Sequence, residues 1–269
     1  MIPYPHIDPV IIKIGPLALR WYGLMYLVGF LAAYYLVRYQ LKEQGRTDLF
    51  PVLDDLIFWL ALGLIIGARL GHVFLYFPGY YLHHPWEIPA IWHGGMSFHG
   101  GLLGITIAGL IYARRHNLDF WYWADLFVVP APIGLGFGRL GNFINGELYG
   151  RPTHVPWAMI FPAGGPIPRH PSQIYEALGE GLLLFLLMWK TRRRPWPAGY
   201  KLALFLVAYG TIRFFIEFFR EPDPGVALAF GWMSRGQVYC LLMVIVGCFL
   251  FIWRQKEKSP KGENLKPRL

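Results

Sequence analysis

Apolar residues fall into seven long runs, separated by shorter connections rich in charge, proline or glycine. The runs cover about residues 17–37, 53–77, 96–113, 124–143, 174–189, 202–219 and 238–253. Each is near the ~20 residues an α-helix needs to cross a bilayer. The pattern predicts an all-α polytopic membrane protein with about seven transmembrane helices and small outer loop elements. Residues 1–255 read as one integral membrane domain and 256–269 as a basic tail. Residues 1–16 are Pro-rich without a basic cluster, and the run that follows is too long for a signal-peptide core.

The basic residues orient these runs. Arg38, Lys42 and Arg46 follow the first, Arg114 and Arg115 the third, and Lys190, Arg192, Arg193, Arg194 and Lys201 the fifth. The tail after the seventh adds Arg254, Lys256, Lys258, Lys261, Lys266 and Arg268. The alternate connections are poorer, and 78–95 has no Lys or Arg. Positive charge collects on the cytoplasmic side, so the N-terminus is expected outside and the C-terminus inside. Trp86 and Trp92 suit an outer interfacial segment, and the six prolines of 152–171 an ordered outer loop.

Composition agrees. The chain of 269 residues is 55% hydrophobic and 15% charged, well below the ~25% charge of soluble domains. The net charge of +9 is topogenic in its placement and does not read as a nucleic-acid surface. Cys240 and Cys248 share one run, too far apart along a straight helix for a disulfide. They read as inert thiols, and no metal-ligand spacing is present, so neither metal nor cofactor is expected.

Chemistry concentrates in Gly138-Arg139-Leu140-Gly141-Asn142-Phe143-Ile144-Asn145-Gly146-Glu147-Leu148-Tyr149-Gly150-Arg151. Ionisable groups ending an apolar run need partners or a function. Tyr209, Arg213, Glu217 and Arg220 form one stripe at helical spacing. That stripe reads either as a structural Arg213–Glu217 pair or as a face turned to a cavity. Arginines near the outer interface suit an anion such as a phospholipid headgroup. His99 sits among glycines in Gly94-Gly95-Met96-Ser97-Phe98-His99-Gly100-Gly101, either as a structural histidine or as a proton acceptor. Arg69 and His72 have no evident role. A rival reading, a transporter or flippase for an anionic lipid or metabolite, would explain arginines at Gly-broken helices. The absence of an internal repeat and the one-sided polar groups argue against it.

Taken in order, these stretches, with Arg20-Trp21-Tyr22-Gly23-Leu24-Met25-Tyr26 and Arg169-His170-Pro171-Ser172-Gln173, strongly resemble the prolipoprotein diacylglyceryl transferase family over essentially the whole chain. The resemblance implies a bacterial inner-membrane enzyme with its site toward the periplasm. Its substrates would be phosphatidylglycerol and a preprolipoprotein signal peptide bearing a lipobox cysteine. The diacylglyceryl group passes to the cysteine thiol, forming a thioether and releasing glycerol 1-phosphate. Matched position by position, the essential residues are His99, Arg139 and Arg213. Tyr22, Asn142, Glu147, Gly150, Glu176, Tyr209 and Arg220 match positions that line or support the lipid site. On this reading Arg139 and Arg213 clamp the phosphate and Asn142 donates to it. Glu147 and Glu176 orient the arginines, and His99 is the candidate base. No cofactor or nucleic acid is expected, and a monomer is favoured. Arg235, where an apolar residue is typical, and the short 152–168 connection depart from the family pattern.

Overall fold

The computed structural model describes residues 2–5, 7–15, 17–222 and 231–256. The expected tail, from 257 onward, lies outside the described residues. Among them two compact units form: one combines residues up to Gln40 with those from Trp121 onward, and the other runs from Leu41 to Phe120.

The first unit opens with a two-stranded antiparallel hairpin, β1 (Val10–Ile14) and β2 (Leu17–Arg20), in which Val10 lies opposite Arg20. This corrects two expectations. The chain is not wholly helical, and the first run turns helical only at Trp21. The β-branched Val10, Ile11 and Ile12 and the turn at Gly15 (φ +58°) favour strand pairing there. Helix α1 (Trp21–Glu43) follows. The fourth expected run is two helices, α5 (Phe120–Val128) and α6 (Ala131–Ile144), bent by 45°. Pro130 and Pro132 at the joint remove amide donors and explain the break. The fifth run is also irregular: α7 (Ser172–Glu176) passes through a π-helical stretch, Ala177–Leu183, into α8 (Leu184–Thr191). Helices α9 (Tyr200–Ile216) and α10 (Arg235–Lys256) close the unit.

Its core centres on Val129, Leu184 and Met188, against which Phe205, Tyr209 and Ile212 pack. Buried Gln40 donates to the Leu126 carbonyl at 3.0 Å, fixing α1 to α5. Buried Asp125 accepts the Gly199 and Leu202 amides at 3.0 and 2.8 Å and so caps the start of α9. Gly136 and Gly181 let α6 and the π-helical stretch touch: a Cβ on Gly136 would meet the Gly181 Cα at 3.0 Å.

In the second unit α2 (Phe50–Gly71) runs on through a π-helical stretch to Tyr76. The short α3 (Pro78–His83) and the loop to Gly95 precede α4 (Phe98–Arg115). Helices α2 and α4 pack through glycines, since a Cβ on Gly100 would meet the Gly71 Cα at 2.8 Å.

Among the described residues four helices are long and apolar enough to cross a bilayer: Trp21–Glu43, Thr47–Tyr76, Tyr200–Phe219 and Arg235–Gln255. The bent α5–α6 pair passes the same test if it counts as one span, which would make five. The runs expected at 96–113 and 174–189 are helical but fall short of that measure. Glycines and His99 dilute the first, and Glu176 and Glu180 interrupt the second.

Candidate functional site

The middle of the first unit holds a buried lattice of charge. Arg213, on α9, is 6% exposed. Its Nη1 lies 2.6 Å from Glu176 Oε1 and 3.0 Å from Glu180 Oε1, and its Nη2 lies 2.7 Å from Glu217 Oε2. Arg139, on α6, reaches the same carboxylates: its Nε is 2.8 Å from Glu176 Oε2 and its Nη2 is 3.5 Å from Glu180 Oε2. Glu176 and Glu180 are fully buried. Three carboxylates thus hold two guanidiniums, consistent with the rule that buried charge must be paired. Ser234 Oγ donates to Glu217 Oε1 at 2.9 Å, and Gln237 Oε1 accepts the Ser234 amide at 2.9 Å, tying the start of α10 to the lattice.

The two arginines differ. Arg213 spends both terminal nitrogens on carboxylates and is almost wholly enclosed. The Arg139 side chain is 20% exposed, and only its Nε and Nη2 have a partner among the described residues. Its Nη1 is the group of this lattice best placed to meet an anion.

Asn142 stands one turn beyond Arg139 on the same face of α6. Its Nδ2 donates to Glu147 Oε1 at 2.8 Å, and Asn145 Nδ2 reaches the same oxygen at 3.0 Å. Glu147 therefore gathers the two asparagines and makes no ion pair with Arg139 or Arg213 among the described residues. The expected orienting role falls to Glu176 and, unforeseen, to Glu180. The loop that carries Glu147 is held hard. Gly146 has φ +67° and Leu148 φ +56°, a conformation that costs a side-chain-bearing residue energy. Fully buried Gln173 donates to the Glu147 carbonyl at 2.6 Å, and fully buried Ser172 to the Leu148 carbonyl at 3.0 Å.

Gly150 pairs with Arg220 as an isolated antiparallel bridge, and its amide donates to the His170 carbonyl at 2.8 Å. A Cβ there would lie 2.7 Å from both His170 Cβ and its carbonyl, so only glycine allows the approach. Arg151 Nε donates to the Arg220 carbonyl at 2.9 Å, and Arg169 Nη1 meets Glu221 at 3.1 Å. Tyr22, at the start of α1, lies against Gly141, where a Cβ would sit 2.8 Å from its ring. Its hydroxyl is 3.2 Å from that of Tyr26. Tyr209 stacks on Phe205 one turn before Arg213.

His99 belongs to the second unit, exposed in the first turn of α4. Ser97 caps that helix by accepting the Gly100 amide at 3.2 Å, and its own amide donates to the Ala68 carbonyl at 2.9 Å. The neighbouring Arg69 now has a role. It is 5% exposed and donates to the carbonyls of Glu87, Ile88, Gly94 and Gly95 at 2.6, 2.7, 2.6 and 3.2 Å. It ties the loop before α4 to α2.

Sequence reasoning missed Glu180 as a partner of both arginines. The signal was available, since a glutamate inside an apolar run needs a partner. Its spacing of four from Glu176 puts both carboxylates on one helical face. The roles of Gln173 and Ser234 rest on loop geometry and left no trace of their own.

Known proteins align with this arrangement over nearly its whole length. The family model described as prolipoprotein diacylglyceryl transferase matches residues 9–253. The phosphatidylglycerol–prolipoprotein diacylglyceryl transferase of Desulfotalea psychrophila is 50% identical over 261 residues, covering 95% of this chain and 96% of its own. The enzymes of that name from Bordetella avium and Nitrosomonas europaea are also 50% identical, covering 96% and 100% of this chain and 99% and 98% of their own. With the motifs in register and the arginine lattice in place, the chain belongs to the prolipoprotein diacylglyceryl transferase family.

Proposed function

We propose that this chain transfers the diacylglyceryl group of phosphatidylglycerol to the lipobox cysteine of a prolipoprotein; the names of its relatives give the lipid, the protein substrate and the group transferred, and the family resemblance implies the cysteine. The observation that carries the reading is Arg139: a buried guanidinium fixed by two carboxylates, with one edge left for an anion and Asn142 one turn away.

In the reaction the cysteine sulfur attacks the glyceryl carbon that bears the phosphate. The new C–S bond forms as the C–O bond breaks, and the electron pair leaves on the phosphate oxygen with glycerol 1-phosphate. Charge grows on that phosphate, so a preorganised guanidinium lowers the barrier. Arg139 supplies it. Arg213 keeps Glu176 and Glu180 in place, and they keep Arg139 aimed. Asn142, oriented by Glu147, donates to the phosphate. A thiol of pKa ~8.5 is mostly protonated at neutral pH, and His99 is the candidate to take its proton. Tyr22, Tyr209, Gly150 and Arg220 line or brace the lipid site.

Seven helices cross the bacterial inner membrane in this reading, with residues 1–255 as one membrane domain, the N-terminus and site periplasmic and the basic tail cytoplasmic. The placement of Lys and Arg supports that orientation. The enzyme works as a monomer. No observation favours the transporter reading. The test is to incubate the purified chain with phosphatidylglycerol and a lipobox peptide. A diacylglyceryl mass gain on the cysteine peptide, absent with a serine peptide, is the expected result. No gain from folded protein overturns the proposal.

A further inference from the structure

Removing the thiol proton needs a group within hydrogen-bond reach of the sulfur, and the sulfur must stand ~3–3.5 Å from the carbon beside the phosphate. The base and the phosphate site therefore belong to one connected set of side chains. The family resemblance points to His99, which lies in the second unit, whereas the arginine lattice lies in the first. The first unit holds an acceptor of its own. Three of its carboxylates, Glu176, Glu180 and Glu217, are buried and turned onto guanidiniums. Glu147 differs: it is exposed and makes no ion pair among the described residues.

Its Oε1 accepts from Asn142 Nδ2 and Asn145 Nδ2 at 2.8 and 3.0 Å, while its Oε2 has no hydrogen-bond partner among the described residues. One oxygen held by two amides fixes the direction of the other. The backbone is held as firmly. The Glu147 amide donates to the Asn142 carbonyl at 3.1 Å, fully buried Gln173 donates to its carbonyl, and left-handed Gly146 and Leu148 flank it. An exposed carboxylate needs no such scaffold for its own sake, and strain of this kind gathers at functional sites. The free oxygen also belongs to the phosphate site. Asn142 stands one turn from Arg139, and the Tyr22 hydroxyl lies within electrostatic range of both Arg139 and Glu147. The structure assigns to Glu147 the role of catalytic base: its Oε2 takes the proton of the lipobox thiol as the sulfur attacks. The S–H electron pair becomes the C–S bond, the C–O pair leaves on the phosphate oxygen, and the exposed carboxylic acid returns the proton to water. The inference rests on the transferase reading and replaces His99 in it.

The test measures kcat/KM for the lipobox peptide between pH 6.5 and 8.5, with phosphatidylglycerol saturating. Glu147→Gln keeps an oxygen for the two asparagines but cannot take a proton. Only thiol that is already ionised then reacts, so the rate rises nearly tenfold per pH unit toward the thiol pKa of ~8.5. The wild type changes less than about threefold, and its advantage over Glu147→Gln shrinks by about 50-fold across the window. His99→Gln keeps the flat profile. The ionisable groups around Glu147 are Arg139 on α6, Tyr22 on α1 with its partner Tyr26, Tyr4 and Asp8 at the turn of Asn145 and Gly146, and His170 at Gly150. The start of α7 adds only the uncharged Ser172 and Gln173. All are unchanged in Glu147→Gln, so a difference in slope belongs to Glu147. A ratio that is constant with pH means that Glu147 only holds the asparagines, and overturns the assignment. A tenfold rise per unit in His99→Gln overturns it too. Should Glu147→Gln not fold, the other two proteins decide: flat profiles in both support the assignment, and a tenfold rise per unit in either overturns it. A wild-type chain that forms no adduct at any pH refutes the transferase reading instead, so the two failures are distinguishable.

Discussion

Replacing Arg213 with glutamine exposes what holds the site together. The guanidinium meets three carboxylates at 2.6, 3.0 and 2.7 Å, two of them fully buried. Each contact is worth roughly 4 kcal/mol at an effective dielectric near 20, but desolvation of the ions cancels much of that sum. What remains on truncation is the cost of stranding the partners. Arg213→Gln leaves Glu176 and Glu180 with Arg139 as their ion-pair partner and Glu217 with the Ser234 hydroxyl, and breaking a buried pair costs ~3–5 kcal/mol. For a chain of this size that lowers the melting temperature by about 6–20 °C. Glu180→Gln in the same chain removes one stranded charge. The double variant is therefore more stable than the sum of the two single effects by ~1.5–3 kcal/mol. Thermal unfolding of the four proteins in one detergent, followed by circular dichroism, measures the cycle. A coupling below ~0.5 kcal/mol would refute the claim that Glu180 and Arg213 form one charge lattice.

Three further outcomes follow from particular contacts. Glu147→Gln weakens the acceptor shared by Asn142 and Asn145, a charge-assisted bond worth ~1.5–3 kcal/mol, so kcat falls about 10- to 100-fold with KM little changed; a KM effect alone contradicts this. Arg69→Lys cannot reproduce the planar fork to four carbonyls, and limited proteolysis between residues 84 and 97 becomes faster than in the wild type, whereas an unchanged rate contradicts the tie. Burial of His170 between Tyr175 and Phe219 holds its imidazole pKa below the ordinary 6.5. The unfolded chain then binds the extra proton, so stability drops as pH falls from about 6.5 through the lower folded value. His170→Gln loses less melting temperature than the wild type between pH 7.5 and pH 5.5, and equal losses contradict it.

Much of this was legible in the sequence for physical reasons. Long apolar runs are readable because a bilayer-length helix needs one. Most of each run is helical, though residues 17–20 are strand and the fourth run is two helices. Among the described residues four helices, or five if the bent pair is one span, are long and apolar enough to cross a bilayer. The spacing of Arg213 and Glu217 maps onto one helical face, and the structure pairs them at 2.7 Å. The hairpin before Trp21 was not legible, because 17–20 are as apolar as the helix they precede and pairing with 10–14 is a non-local choice. Glu147 was assigned to the arginines because charge suggests ion pairs. The left-handed turn at Leu148 instead directs the loop, and no spacing rule encodes that. Glu180 stands four residues after Glu176, a spacing that puts both carboxylates on one helical face, so its place beside the arginines is readable from the sequence.

The most direct test of the account joins both products in one assay. Purified protein, phosphatidylglycerol and a lipobox cysteine peptide are incubated, and glycerol phosphate release is counted against the peptide's diacylglyceryl adduct. The account predicts one released glycerol phosphate per adduct in the wild type. With Arg139→Ala both products are lost, and with Arg139→Lys both are strongly reduced, because an ammonium cannot bridge Glu176, Glu180 and a phosphate at once. Release without adduct, or undiminished turnover by folded Arg139→Ala protein, would contradict it.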